Sequence, residues 1–348
     1  MISKSRGNVF IEQQRVRKND DRQELLKIDR RDKQTKQKKF TIIFVVVQKF
    51  LRFFFFFNSP ILWNILHNKA ITIPTETTPA MDFMKPETVL NLANIRQALV
   101  RMEDTIVFDL IERSQFFSSP SVYEKNKYNI PNFDGTFLEW ALLQLEVAHS
   151  QIRRYEAPDE TPFFPDQLKT PILPPINYPK ILAKYSDEIN VNSEIMKFYV
   201  DEIVPQVSCG QGDQKENLGS ASTCDIECLQ AISRRIHFGK FVAEAKYQSD
   251  KPLYIKLILD KDVKGIENSI TNSAVEQKIL ERLIVKAESY GVDPSLKFGQ
   301  NVQSKVKPEV IAKLYKDWII PLTKKVEIDY LLRRLEDEDV ELVEKYKK

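Results

Sequence analysis

The chain has 348 residues, among them 9 glycines, 3 cysteines and 3 histidines, and a formal net charge of +3. Glycine below 3%, against a usual ~7%, leaves little material for phosphate-binding or dinucleotide-binding turns, and neither G-x-G-x-x-G nor G-x-x-x-x-G-K-S/T occurs. Cys209, Cys224 and Cys228 are too few and too clustered for a disulfide framework, and His67, His149 and His237 are scattered, so neither a metal nor another cofactor is expected.

The small net charge conceals two differently composed pieces. Residues 1–80 hold 16 basic and 7 acidic side chains, a net +9; the remaining 268 hold 36 basic and 42 acidic, a net −6. A mildly acidic main piece lacks the basic footprint of a phosphate-backbone binder, so nucleic acid is not an expected partner. From Phe40 to Leu66 the text FTIIFVVVQKFLRFFFFFNSPILWNIL is strongly apolar, but Lys49 and Arg52 interrupt it and Pro60 follows, which argues against a membrane span. It also lies too far from Met1 for a signal peptide. Five consecutive phenylalanines beside Lys/Gln/Asn-rich text look like A/T-rich untranslated DNA read from an upstream start. After the linker TIPTETTPA, Met81 opens a wholly different composition. The expected organisation is an irregular basic and apolar extension over 1–80, then a helical domain over 81–348, in the cytoplasm.

From Met81 onward apolar residues recur at spacings of three and four, which predicts helices. Leu92, Ile95, Leu99, Met102, Ile106 and Leu110 form one stripe; Phe137, Trp140, Leu143, Val147 and Ile152 mark a second helix over about 134–156. Seven prolines between Pro158 and Pro179 then predict an extended strap. A third helix is expected over 192–207, a flexible segment over 209–222, and a fourth helix from Thr223 to about Gln248. Thr271 and Asn272 can cap a fifth, and the last runs from Pro308 to about 336, kinked at Pro321. No strand signal stands out. The fold class is all-α, a multi-helix bundle.

Polar residues intrude on these stripes. Arg235 and Lys246 share a face of the fourth helix, eleven residues or three turns apart. Asn272 and Glu276 share one with Ile279 and Leu283, Thr323 and Glu327 one with Ile320 and Leu331, and Arg96 adjoins the first stripe. Each alone can snorkel or pair with a neighbour, as Glu327 can with Lys324. Together they place three cations, two carboxylates and two neutral groups inward on separate helices, a lining suited to a small, multiply anionic, hydroxylated molecule. Cys224 and Cys228 read as packing or exposed thiols, and no nucleophile is placed for His237.

The segments that carry these residues resemble the all-helical chorismate mutases of fungi. The resemblance rests on MDFMKPETVLNLANIRQALVRMEDTIVFDLIERS (81–114), FLEWALLQLEVAHSQIRRYEAPDETPFFPD (137–166), DIECLQAISRRIHFGKFVAEAKYQSD (225–250), ITNSAVEQKILERL (270–283) and PLTKKVEIDYLLRRLE (321–336), and covers about 81–336. It implies a pericyclic Claisen rearrangement of chorismate to prephenate, on the route to phenylalanine and tyrosine, without a cofactor. It further implies that Arg96 and Arg235 grip the substrate carboxylates and that Lys246 and Glu327 face the ether oxygen. Asn272 and Glu276 would hold the hydroxyl region, and Thr323 would assist at a carboxylate. A homodimer is implied, inhibited by tyrosine and activated by tryptophan at a site using Arg153, Arg154, Asn217, Gly219 and Ser220. On its own, an arginine pair at a helix C-terminus also complements the helix dipole.

The segment KFGQNVQSKVKPEV (297–310) departs from the family text, with Lys307 where threonine is expected, which puts the strength of effector response in question. The tail EDEDVELVEKYKK (336–348) extends past the usual end and receives no role. A catalytically silent interaction protein of the same fold is the competing class; it predicts loss of at least one of the seven intruding residues.

Overall fold

The computed structural model describes residues 81–290 and 305–346. These are helical, with no strand among the described residues. The apolar segment at 40–66 and most of the divergent segment at 297–310 lie outside them.

The first long helix, α1 (Leu92–Arg113), starts where Asn91 accepts the backbone N–H groups of Ala93 and Asn94. Its stripe is buried at Ile95, Ile106 and Leu110, whereas Leu92, in the first turn, is 47% exposed. Helix α2 (Phe137–Gln151) begins with a reciprocal capping box: Thr136 accepts from the Glu139 N–H, and Glu139 accepts from the Thr136 N–H. It is shorter than predicted, and its buried face is Leu138, Leu142 and Leu143; Ile152 caps the helix and is exposed. The strap that follows is irregular, as its prolines predict. Glu146 accepts from the N–H groups of Phe163 and Phe164 at 2.8 and 2.9 Å, and Asn190 and Asn192 donate to the Pro162 carbonyl, so side chains replace the ladder the strap cannot form.

Two prolines inside helices are handled alike. Helix α3 (Asn192–Phe198) widens into a π turn over Tyr199–Ile203 ahead of Pro205, and α9 (Pro308–Leu314, numbered in chain order after the helices below) widens over Tyr315–Ile319 ahead of Pro321. In each the N–H just before the proline reaches five residues back, Val204 to Tyr199 and Ile320 to Tyr315. The extra residue spares the missing proline donor a place in the ladder. At Pro321 the backbone forms a wide turn, and the helix resumes.

Helix α4 (Leu218–His237) begins five residues before the expected Thr223, so Gly219 and Ser220 form a helical first turn rather than a flexible loop. Nor does it run unbroken to Gln248: the helical ladder is interrupted at Phe238, and α5 (Gly239–Ser249) follows at once. Three short or medium helices follow, α6 (Lys251–Leu259), α7 (Val263–Ile270) and α8 (Ser273–Tyr290); the first two were not predicted. After α9 come α10 (Ile320–Leu332) and a tail helix, α11 (Val340–Tyr346). That tail is tied in: the hydroxyl of Tyr247 donates to Glu338 at 2.8 Å, and Lys251 bridges the same carboxylate at 3.1 Å.

Helix α1 packs along α4, α5 along α10, and α10 also meets α4 and α7. Ile106, Leu110, Leu229, Ile232, Ile236, Val326 and Tyr330 are among the fully buried members of the central core. Buried ion pairs lock the frame. Arg113 bridges Asp225 at 2.5 Å with both side chains fully buried, and Arg334 clamps Glu244 on α5 at 2.8 and 3.1 Å while the Tyr330 hydroxyl donates to it. His237, buried, accepts the Val191 N–H on Nε2. Burial and nearby Lys240 push its pKa down to about 3, so it is a neutral structural hydrogen-bonding group.

Candidate active site

Among the described residues, one place where charge is buried without an ion pair lies at the end of α4. Arg235, in the last turn of α4, is 4% exposed, and among the described residues no carboxylate pairs with it. Its Nη1 donates to Thr323 Oγ1 at 3.5 Å, and that hydroxyl donates to the Ile319 carbonyl at 2.6 Å. The Arg235 Nε and the Tyr315 hydroxyl, both buried, have no partner. A buried guanidinium with an orphan donor is costly unless an anion completes it.

Glu327 stands one turn along α10 from Thr323, 7% exposed. Burial pushes its pKa up to about 7, against the lowering pull of Lys246, Arg235 and Lys324 and with reinforcement from Glu276. Lys246, in the last turn of α5, donates to the C-terminal carbonyl of α7, Ile270, at 2.7 Å. Burial holds its pKa below the usual lysine range, and Glu327 opposes that. The ammonium has further N–H groups to direct at a ligand. Across the site, Glu276 on the first turn of α8 pairs with Lys324 at 2.8 Å.

Gly239, the first residue of α5, lies close against α10. A Cβ on Gly239 would lie 3.0 Å from the Thr323 carbonyl oxygen and 3.2 Å from Glu327 Cγ. A side chain here would crowd α10 by a few tenths of an ångström, so glycine lets α5 start this close to Glu327 without displacing it. Sequence spacing gave no sign of that role, nor of Tyr315.

Of the seven predicted residues, the structure gathers five: Arg235, Lys246, Glu276, Thr323 and Glu327. The expectation that all seven face inward fails at Arg96 and Asn272, both exposed. Arg96 follows buried Ile95 by about 100° of helical turn, which takes it off the packed face. Asn272 instead caps α8, accepting the Val275 N–H at 3.2 Å.

The predicted effector residues form two separate groups. Arg153 closes α2 in a left-handed conformation, φ 68°, and donates to the Pro174 carbonyl. Arg154 bridges Glu160 at 3.3 Å and meets His149 Nδ1. Asn217 precedes α4, its amide donating to Gln214 at 3.4 Å, while Gly219 and Ser220 expose the first turn. Among the described residues no hydrogen bond or ion pair joins the two groups. Cys228 is buried, in keeping with a packing role, and Cys209 is exposed.

An all-helical fold that sets a buried arginine without a carboxylate partner near a carboxyl poised near neutrality defines a class: a protein with a site suited to a small polyanion. The comparisons give that class its family. Residues 218–328 match the model for chorismate mutase type II. The chorismate mutase of Pichia angusta is 65% identical over 259 residues, covering 74% of this chain and 92% of the relative. A crystal structure of the chorismate mutase of Candida albicans in complex with L-tryptophan is 97% identical, covers 77% of this chain and 100% of its own, and superposes with a TM-score of 0.74. AtCM1, solved with tyrosine bound in its allosteric site, is 39% identical, covers 71% of this chain and 97% of its own, and superposes with a TM-score of 0.63. The chain belongs to the chorismate mutase family, and it is an isomerase that rearranges chorismate to prephenate.

Proposed function

We propose that catalysis takes place in the chamber between α4, α5, α8 and α10, with each gathered side chain in a distinct role. Chorismate is a flexible dicarboxylate whose rearrangement breaks one C–O bond and forms one C–C bond, with no covalent help required from the protein. The enzyme's work is to hold the folded conformer and to stabilise charge that grows on the ether oxygen. Arg235 grips one carboxylate, for which its planar fork is suited, and Thr323 supports that contact. Arg96, on a long and unpaired side chain, reaches in to the other. Lys246 and Glu327 donate to the ether oxygen, and Glu276 and Asn272 hold the hydroxyl.

The observation that carries this reading is Arg235: a buried cation without a carboxylate partner, facing an acid that burial keeps protonated to about pH 7. Glu327 can donate a hydrogen bond only while protonated, so turnover falls as pH rises through that value. Following chorismate absorbance from pH 5 to 9 tests it. The native chain should lose kcat/KM on the alkaline side and Glu327→Gln should not; a matching alkaline fall in both would refute the assignment.

We further propose that aromatic amino acids regulate this chain, tyrosine as inhibitor and tryptophan as activator, through Arg153 and Arg154 of one protomer and Asn217, Gly219 and Ser220 of a second. Support comes from L-tryptophan in the Candida albicans structure and tyrosine in the allosteric site of AtCM1. The first-turn N–H groups of α4 and the two guanidiniums suit an amino-acid carboxylate. The two groups do not meet within one chain, which favours a homodimer. Arg154→Ala should abolish the response to both effectors and leave unregulated turnover intact; unchanged inhibition by tyrosine would rule the site out. Residues 81–348 are read as the catalytic unit, in the cytoplasm. Mass spectrometry of the native protein that recovers peptides from residues 1–70 would overturn the reading of 1–80 as untranslated.

A further inference from the structure

We propose that Lys324 is a positioning residue for the reaction: through its ion pair with Glu276 it holds that carboxylate in place at the chamber, neutralises it before a dianionic substrate arrives, and tunes the acid at Glu327. The inference rests on the placement of the reaction between α8 and α10.

The geometry is specific. Lys324 sits between Thr323 and Glu327 in sequence, on α10, and reaches across to Glu276 Oε1 at 2.8 Å. The nearest contact is to that oxygen, and a carboxylate has lone pairs left to accept from a substrate hydroxyl. Farther along α8, Ile279 and Leu280 pack against the core and Arg282 and Lys286 pair with Glu103 on α1. Near Asn272 and Glu276, Ser273, Ala274 and Val275 are exposed. The Lys324 bridge is thus what fastens the substrate-hydroxyl end of α8 to the helix that carries the acid.

Charge gives it a second task. A glutamate side chain 29% exposed and unpaired would spread over many rotamers and would repel the incoming dicarboxylate. Lys324 removes both penalties at once. Facing Glu327 are Arg235 from α4, Lys246 from α5, Tyr254 from α6, Glu276 from α8 and Lys324 from α10 itself, while α7 contributes the Ile270 carbonyl that engages Lys246. Three of these are cations that favour the ionised form, and Lys324 is the one paired with a carboxylate at 2.8 Å. Its removal leaves Glu276 uncompensated, so Glu327 stays protonated to higher pH.

The test is Lys324→Met against Lys324→Arg in the full chain, with kcat and KM for chorismate measured across pH 5–9. Lys324→Met should raise KM about two- to fivefold at pH 6, the range of a partly exposed ion pair, and move the alkaline fall in kcat/KM to higher pH. Lys324→Arg should restore both. A loss of packing alone would lower activity without moving the pH limb upward. If the limb stays where it is in Lys324→Met, or KM is unchanged, the proposal is wrong. Glu327→Gln separates the two levels of claim. Should it retain the native alkaline fall, the assignment of the acid fails. Should it lose that fall while Lys324→Met leaves it unmoved, only the role of Lys324 fails.

Discussion

Gly239 brings the backbone of α5 against Glu327: a methyl group added there would lie 3.2 Å from Glu327 Cγ and 3.0 Å from the carbonyl oxygen of Thr323. Glu327 and Thr323, proposed above as acid and carboxylate contact, therefore keep their positions because a neighbouring helix has no side chain there. Gly239→Ala should lower kcat/KM roughly tenfold by displacing α10, since a shift of a few tenths of an ångström spoils transition-state alignment. Its melting temperature should change little, because alanine's helical preference, up to ~1 kcal/mol, offsets the crowding. Unaltered kinetics in Gly239→Ala would show that α10 can yield without consequence.

The same acid makes stability depend on pH. The folded-state pKa of Glu327, about 7, lies above the ~4.3 of an unfolded glutamate. The folded chain thus binds the proton more tightly, and its stabilising contribution, complete below the unfolded value, is lost as pH rises through 7. Glu327→Gln should remove this slope. The melting temperature of the variant relative to the native chain should climb between pH 4.5 and 7.5, as differential scanning calorimetry would report; a constant difference would contradict it.

Asp225 is fully buried and accepts from Arg113 at 2.5 Å, the Tyr123 hydroxyl at 2.7 Å and the Tyr199 hydroxyl at 2.8 Å. Asp225→Ala leaves Arg113 charged and unpaired in the core, which should cost ~3–5 kcal/mol of stability. Urea unfolding measures it. A loss below ~1 kcal/mol would mean that water reaches the pair.

Lys307 occupies the N-cap of α9 in an extended conformation, φ −63° and ψ 125°, with no side-chain hydrogen bond to the helix. Threonine there supplies the missing acceptor. Lys307→Thr should stabilise the chain by ~0.5–1 kcal/mol in chemical denaturation, and no gain would show the cap to be satisfied in another way.

Several features could be read from the residues without coordinates. Apolar spacing of three and four identified α1, and Pro308 at a first turn marked the start of α9, because these signals are local. Polar residues inside or beside such stripes marked Arg96, Arg235, Lys246, Asn272, Glu276, Thr323 and Glu327, since burying a polar group without a partner is unfavourable in any fold; five of the seven come together in the structure. The interruption at Phe238 was not readable, because nothing in RRIHFGKF forbids one long helix, and the close approach of Thr323 and Glu327 to Gly239 is a contact between helices distant in the chain. The wide turn at Tyr315–Ile319 was equally hidden, because a proline announces a lost hydrogen bond and leaves open how the backbone absorbs it. The exposure of Arg96 and Asn272 likewise depended on which helix packs beside each.

The amino-acid order by itself determined the all-helical class and the family, because hydrophobic period and residue chemistry act within a few turns. Tertiary packing alone decided the pKa of Glu327 near neutrality, the pairing of Lys324 with Glu276 and the need for Gly239. Desolvation, ion pairing and close contact arise between helices distant in the chain, and no spacing along one of them records what the others bring.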